Sequence, residues 1–415
     1  MPRFRFPHRS AALFSFSARR RRGGALSAFF AACALLAAQG ALAASALPSA
    51  PLQETVQMIP AAADGVQLQT TIYRPPGPGP FPLLIMNHGK ERGDPRGQPR
   101  MRFLALSREF VQRGYAVAIP MRQGFAGSGG SYFEYDCDMF DNGVAQARDV
   151  RAALDYLVGQ SWVDASRIVV AGQSYGGVAT LAFGMAPYPG VKGLINFAGG
   201  LRLHGGPCRW QDSLADAFSA FGSRTPVPSL WFYGANDRHF SPALAARLHA
   251  AYVSAGGDAE LVAFGDFKND AHGMSGSWDG VKVWWPETEK FLQRIGLPTA
   301  PVLALDDGDR IAPTDYAVLD DIDAVPYLKD QGREAYRDFL DKTLPRAFAV
   351  SESGAWSWAE DGDDPVAEAV ANCEKNSSTP CRLYAVDDGV VWADAAPAAQ
   401  MAAGVPAQME MPAPR

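Results

Sequence analysis

Val169-Val170-Ala171-Gly172-Gln173-Ser174-Tyr175-Gly176-Gly177 is the stretch on which the reading of this chain turns. An apolar, strand-like run over 167–171 drives into a turn of small residues, and a segment of helical character, 178–185, leaves it. A serine held at such a turn has a strained backbone and an exposed hydroxyl. Glycines two residues to either side let the flanking chain pass without a Cβ clash. The pattern is G-x-S-x-G, a nucleophile elbow, and Ser174 is its candidate nucleophile. With 41 glycines in 415 residues, composition alone supplies about 0.25 such matches in a chain this long. The motif therefore needs partners.

Outward from the elbow, strands and helices alternate. Runs over 56–60 and 66–73 read as short strands about an Asp64-Gly65 turn, and Pro75-Pro76-Gly77-Pro78-Gly79-Pro80 is a rigid connector. The continuous apolar run 81–87 suits a strand buried on both faces. A helix over 102–113, a strand over 115–120 and a helix over 142–158 lead to the elbow strand, 168–171. After it come strands over 191–197, 229–233 and 260–264, with helices over 242–255 and 283–295. This alternation predicts the α/β class, with a mostly parallel sheet covered on both faces and an antiparallel edge hairpin from the first two strands. Ligands in such sheets bind beyond the carboxyl ends of the strands, where the elbow points. Only 199–228 falls outside the rhythm, and its Gly205-Gly206-Pro207-Cys208-Arg209-Trp210 reads as a short lid.

A serine hydroxyl needs a base within hydrogen-bond reach and an acid to orient that base. In an elbow fold they follow the nucleophile as acid, then histidine. Asp237, in Gly234-Ala235-Asn236-Asp237 at the end of the 229–233 strand, is the candidate acid, with Asp266 and Asp270 as alternatives on the next loop. Of six histidines, His272 has the right order and a glycine-flanked loop, Asn269-Asp270-Ala271-His272-Gly273-Met274. Oxyanion donors fall to the backbone N–H of Tyr175 and, in Asn87-His88-Gly89-Lys90, that of Lys90. Each has a plain alternative: Asp237 as a turn residue, His272 as a solvated loop histidine, His88-Gly89 as a strand-ending turn.

These elements in this order resemble an α/β-hydrolase over residues 53–297, nearest the dienelactone-hydrolase-like and Xaa-Pro-peptidase-like (S15) branches. The carrying residues are His88-Gly89, Arg122-Gln123-Gly124-Phe125-Ala126-Gly127-Ser128-Gly129-Gly130, the elbow, Gly234-Ala235-Asn236-Asp237 and Ala271-His272-Gly273. The resemblance implies Ser174, Asp237 and His272 as a catalytic triad. It departs at one point: dienelactone hydrolases proper use a cysteine nucleophile, and position 174 is serine. That counts against a dienelactone substrate and leaves the hydrolase class intact.

The ends of the chain read differently. Residues 1–43 carry seven arginines and no acid ahead of the apolar run 25–43, which closes in Ala41-Leu42-Ala43. A basic start, an apolar core and an A-x-A end predict an export signal, with an uncleaved anchor as the alternative, and a periplasmic or secreted product. The formal charge of −6, less the seven positive charges of the signal, becomes −13. An acidic chain without a basic stripe is set aside as a nucleic-acid binder, and nothing after the signal is long and apolar enough to span a bilayer. Cys33 leaves with the signal; Cys137, Cys208, Cys373 and Cys381 remain. Four cysteines permit three pairings in an exported protein, and Cys137–Cys208 with Cys373–Cys381 is the favoured one, free thiols being the alternative.

The organisation expected is thus a signal over 1–43, a catalytic domain over 44–298, an acidic linker over 299–325, a small disulfide-stapled α+β module over 326–394 and a disordered tail over 395–415. The module is expected as helix 327–344, strand 347–351, helix 365–375 and strand 382–392. The function expected is an exported serine hydrolase, a carboxylesterase, that takes a small-molecule ester through an acyl-enzyme with no metal or cofactor. A peptidase for short or proline-containing peptides is the second reading, with Glu134, Asp136 and Asp138 to hold a free amino terminus. Arg92, Arg96 and Arg100 are alternatives for selecting anionic substrates. A catalytically silent envelope-associated binding protein is the reading from another class.

Overall fold

The computed structural model describes residues 47–203, 207–306 and 310–393. The expected signal and tail, and His204-Gly205-Gly206 of the expected lid, lie outside the described residues. Eight strands build the main sheet: β1 (Gln53–Pro60), β2 (Gln67–Arg74), β3 (Phe81–Asn87), β4 (Ala116–Pro120), β5 (Val163–Gln173), β6 (Val191–Phe197), β7 (Ser229–Gly234) and β8 (Ala259–Phe264). They bond in the order β1–β2–β4–β3–β5–β6–β7–β8. β1 and β2 pair antiparallel, β2 meets β4 antiparallel, and every later pairing is parallel. The hairpin sits at the edge because its two-strand turn is too short for a crossover.

Helices α1 (Leu104–Val111), α2 (Met139–Leu157), α3 (Tyr175–Gly184), α4 (Trp210–Gly222), α5 (Pro242–Ser254) and α6 (Trp278–Arg294) connect and close the parallel strands. One face of the sheet packs Leu83, Ile85, Val170 and Trp231 against Val150, Val178, Phe218 and Leu248 of α2 to α5. The other packs Leu84, Met86, Val169 and Phe232 against Phe110 of α1 and Trp284 and Phe291 of α6. Successive residues of one strand thus enter opposite cores, which is why these strands are apolar without alternation.

The reading of all of 199–228 as outside the alternation is corrected. Its second half is α4, an ordinary crossover helix whose Leu214, Ala217, Phe218 and Phe221 are buried at helical spacing. Glycine, proline and cysteine ahead of Trp210 hid that stripe. α2 begins at Met139, three residues before its expected start, because the Asp138 side chain accepts the Asp141 N–H and caps it. α6 starts at Trp278, capped in the same way by Ser277, whose hydroxyl accepts the Gly280 N–H.

Beyond α6 the chain is strapped to α1: Val302 and Leu303 N–H both reach the Gln112 carbonyl, and Arg108 donates to the carbonyls of Leu305 and Asp306. Helix α7 (Asp330–Leu340) and helix α8 (Pro365–Glu374) then flank a second sheet of β9 (Arg346–Ser351), β10 (Trp356–Glu360), β11 (Cys381–Val386) and β12 (Gly389–Val390), ordered β10–β9–β11–β12. Two differences from expectation stand out. β10 was not foreseen, and the strand expected over 382–392 is a hairpin that turns at Asp387-Asp388. Phe348 and Val350 of β9 face Tyr336 and Phe339 of α7, while Ala347 and Ala349 face Ala369 of α8. Cys373 is bonded to Cys381, joining α8 to β11, and Cys137 to Cys208, joining the loop before α2 to the approach to α4. No helix of the described residues is long and apolar enough to cross a membrane.

If α4 is core, truncating it is expensive. Phe218 is fully buried, its ring 5.5 Å from that of Trp231. Phe218→Ala is expected to lose about 3–5 kcal/mol in chemical denaturation. A loss under about 1 kcal/mol would return the segment to a lid.

Candidate active site

Parallel pairing brings the carboxyl ends of β3, β5, β6 and β7 to one edge: Asn87 lies beside Gly172, Gln173 beside Phe197, and Phe197 beside Phe232. Between β5 and α3 stands Ser174, at φ 55° and ψ −123°, a conformation rare for a residue with a Cβ. Its surroundings enforce it. The Ser174 N–H donates to the Phe197 carbonyl (2.9 Å), and its carbonyl accepts from Gly177 and Gly200 (2.9 and 3.0 Å). A Cβ on Gly172 would lie 2.1 Å from the Gly176 carbonyl oxygen, and one on Gly176 would lie 2.1 Å from that of Asn87. Both glycines are thus required by backbone passing backbone.

Past β7, the Asp237 side chain is fully buried. One carboxylate oxygen, Oδ1, accepts the N–H groups of His239 (2.7 Å) and Phe240 (2.8 Å). The other, Oδ2, lies 3.0 Å from Nδ1 of His272. Burial alone would raise the Asp237 pKa; the hydrogen bond and charge of His272 and the two N–H donors outweigh it and hold the group below the usual carboxylate value. An ionised carboxylate only accepts, so Nδ1 carries the proton and Nε2 of His272 is left with its lone pair.

His272 stands in the tight turn Ala271–Gly276 beyond β8. Asp270 Oδ1 accepts the N–H of His272 (2.9 Å) and of Arg238 (3.1 Å), so it ties the two loops together through backbone and does not meet the imidazole. Gln173, beside Ser174, donates to the His272 carbonyl at 3.3 Å. The structure therefore joins Asp237 to His272 directly and brings the residue before Ser174 onto the His272 backbone.

The loop after β3 completes the rim: a Cβ on Gly89 would lie 3.2 Å from the Cβ of Ser174. Its orientation is fixed by two residues whose part in the site the sequence did not reveal. His88, fully buried, accepts the Arg122 N–H on Nε2 (3.0 Å), so its protonated Nδ1 donates to the Gly89 carbonyl (2.7 Å). Gln98 donates to the same carbonyl at 3.4 Å. A trans peptide is planar, so a Gly89 carbonyl held there aims the Lys90 N–H the opposite way. Arg122, fully buried, donates to the His88 carbonyl (2.7 Å) and to Gln146 (2.6 Å). Burial pushes its pKa down to about 10, and burial together with the Arg122 charge holds His88 well below the ordinary histidine value. Both residues stand at strand ends and in stretches that carry the family resemblance, but nothing local indicated that they meet, 34 positions apart.

A third unforeseen neighbour is His239, whose ring centroid lies 4.4 Å from that of His272, with Phe240 at 5.5 Å. Burial, with the nearby charges of His272 and Arg202 adding, pushes His239 down to about 4 against the opposing pull of Asp237 and Asp270.

Other expected participants are engaged elsewhere. Asp138 caps α2, Arg96 donates to the carbonyls of Ser128 and Gly130, and Arg100 pairs with Glu54 and Asp363. The Lys90 ammonium turns to the carbonyls of Glu91 and Gly93. Glu134 and Asp136 remain exposed. Among the described residues no cluster of His, Cys, Asp and Glu could hold a metal ion.

Residues 64–217 match the family of X-Pro dipeptidyl-peptidases (S15 family). The chain is 28% identical over 131 residues to the cocaine esterase of Rhodococcus sp. (strain MB1 Bresler), covering 32% of this chain and 21% of that protein. It is 29% identical over 136 residues to the quorum-quenching protein AidA of Acinetobacter baumannii (strain MDR-ZJ06), covering 33% and 40%. It thus spans less than half the length of either relative. A puromycin-hydrolyzing peptidase of Mycobacterium tuberculosis overlays at TM-score 0.45 and 19% identity, over 61% of this chain and 41% of that one. Its sheet order and its elbow are those of an α/β-hydrolase fold, and residues 64–217 within that fold are similar to the S15 family.

Proposed function

We propose that this chain is an exported serine hydrolase that cleaves small acyl esters through Ser174, His272 and Asp237. The observation that carries the reading is the Asp237–His272 bond of 3.0 Å, set beside a serine at the strained turn between β5 and α3. In this mechanism Ser174 Oγ attacks the acyl carbonyl and His272 Nε2 takes its proton. Asp237 holds the tautomer and steadies the imidazolium. The N–H groups of Tyr175 and Lys90 receive the oxyanion, each worth about 2.7–4 kcal/mol in the transition state. His272 returns its proton to the leaving alcohol, and water then opens the acyl-enzyme by the same route. Export is supported by the two disulfides, which persist in oxidising compartments.

An ester substrate is supported by the similarity to the cocaine esterase. A peptidase is the second reading, supported by the S15 match and by the exposed Glu134 and Asp136, which suit a free amino terminus.

A fluorophosphonate probe is expected to label the wild type and not Ser174→Ala, and the variant's ester turnover should fall by about 10⁴–10⁶-fold. Equal labelling of both proteins would end the serine-hydrolase reading. Acyl esters tested beside aminoacyl-naphthylamides then decide the substrate, faster amide turnover favouring the peptidase.

The site also sets an acid limit on stability. His239 and Asp237 both have folded pKa values below their unfolded ones. The stability each contributes is therefore present above the unfolded value and lost as pH falls, for His239 between about 6.5 and about 4. Denaturation midpoints of the wild type should drop from pH 7 to pH 4.5, and those of His239→Gln should drop less. An equal drop in both would show that His239 does not titrate as inferred.

A further inference from the structure

The C-terminal sheet packs on the same rim, and one of its residues touches the supports of two catalytic loops at once. Asp361, at the end of β10, is fully buried and held at φ 54°. Its Oδ1 accepts the N–H of Arg102 at 2.7 Å. Its Oδ2 lies 2.5 Å from the hydroxyl of Thr343. We propose that Asp361 is a positioning residue, a yoke through which the C-terminal sheet holds the oxyanion loop and the His272 loop in register. The proposal rests on the serine-hydrolase reading for its catalytic consequence and on geometry alone for the yoke.

On one side the yoke grips the loop from His88 to Arg102. Arg100 adds hydrogen bonds to the Gly362 carbonyl (3.1 Å) and Asp363 (3.0 Å), and its own carbonyl accepts the Gly362 N–H (2.9 Å). Two residues earlier, Gln98 accepts the Glu91 N–H (3.0 Å) and donates to the Gly89 carbonyl whose direction aims the Lys90 N–H. The anchored end of the loop is thereby stitched to its catalytic end.

On the other side the yoke grips the turn 341–344, which seats the loop of His272. Leu344 N–H donates to the Gly276 carbonyl at 3.1 Å. The Thr343 methyl covers Gly276, where a Cβ would lie 2.5 Å from it, and the Asp341 carbonyl would lie 3.2 Å from a Cβ on Gly273. A displacement of Thr343 is thus a displacement of the turn that carries His272.

Proton counting shows how the joint is held. Thr343 Oγ lies within hydrogen-bond distance of both Asp361 Oδ2 and Glu360 Oε2 (2.9 Å), yet a hydroxyl has one proton to donate. Glu360 also accepts from the Lys342 ammonium (3.0 Å) and from the Thr343 N–H (2.8 Å), so every other contact it makes here is with a donor. The Thr343 proton therefore goes to Glu360, and Asp361 donates its own proton to Thr343. Burial first, and Glu360 next, push the Asp361 pKa up to about 8, with Glu91 adding. Arg102 reaches Asp361 through its N–H and turns its guanidinium to Glu54, which Arg100 shares.

Asparagine at 361 mimics the protonated acid, accepting from Arg102 and donating to Thr343, whereas alanine and Thr343→Val each break the joint. Turnover per fluorophosphonate-labelled site, which discounts unfolded protein, is to be measured beside amide exchange of 88–102 and 266–277. At pH 7, Asp361→Ala and Thr343→Val are expected to lose about tenfold or more in kcat, with KM within about twofold. Asp361→Asn is expected to stay near wild type and to hold its rate to higher pH than wild type. Both loops should exchange faster in Thr343→Val and remain as in wild type in Asp361→Asn. Wild-type kcat in Thr343→Val, an Asp361→Asn as impaired as Asp361→Ala, or unchanged exchange in Thr343→Val would each overturn the yoke. If the wild type takes no probe, the serine-hydrolase reading falls separately, and exchange in Thr343→Val and Asp361→Asn alone decides the yoke.

Discussion

Three backbone segments pass through one another's van der Waals range at the elbow, and much else follows from that crossing. Gly172, Gly176 and Asn87 stand so close that a single added methyl at either glycine would meet a carbonyl oxygen at 2.1 Å. The crossing fixes β5 against the start of α3 and fixes both against the end of β3. It leaves Ser174 in a backbone conformation that no free chain would choose, stabilised by hydrogen bonds from β6 and from Gly177 and Gly200. The loop after β3 inherits its position from the same contact, since it begins where β3 ends.

Around that crossing the molecule invests in buried polar groups with defined partners. Arg122 is buried on the His88 carbonyl and the Gln146 side chain, with the charge of Asp149 and the rings of Phe125 and Tyr175 nearby to offset its desolvation. Asp237 is buried with four favourable contributions that overcome its desolvation. Such groups stabilise little in sum, because desolvation offsets their bonds, yet each penalises any other arrangement of its loop. Specific geometry at the rim is the outcome.

What could be read from the chain alone was whatever a local pattern encodes. The apolar runs that became β3 and β6 were legible to the residue, because strands buried on both faces have no other composition open to them. The order serine, aspartate, histidine along the chain singled out three residues, of which the fold then joins the last two directly. The helix α4 was present as a stripe in Leu214, Phe218 and Phe221 but was masked by the glycine-rich approach. Two contacts across long separations left no local trace: His88 with Arg122 spans 34 positions, and Arg102 with Asp361 spans 259. No periodicity records which atom meets which over such distances.

The bridge Cys137–Cys208 has a topological meaning distinct from the loops it joins. It closes a covalent ring with 71 positions of separation, against 8 for Cys373–Cys381. Within the larger ring lie β5, the elbow, α3 and β6, two of the three segments of the crossing on which Ser174 depends, the end of β3 lying outside it. By chain entropy a ring of that size restricts the unfolded ensemble by roughly 4 kcal/mol, the smaller one by roughly 2.5. Oxidation thus favours, in the chain before it folds, the compact neighbourhood that Ser174 later occupies. A thiol-rich compartment withholds that bias from the one segment whose backbone is most strained.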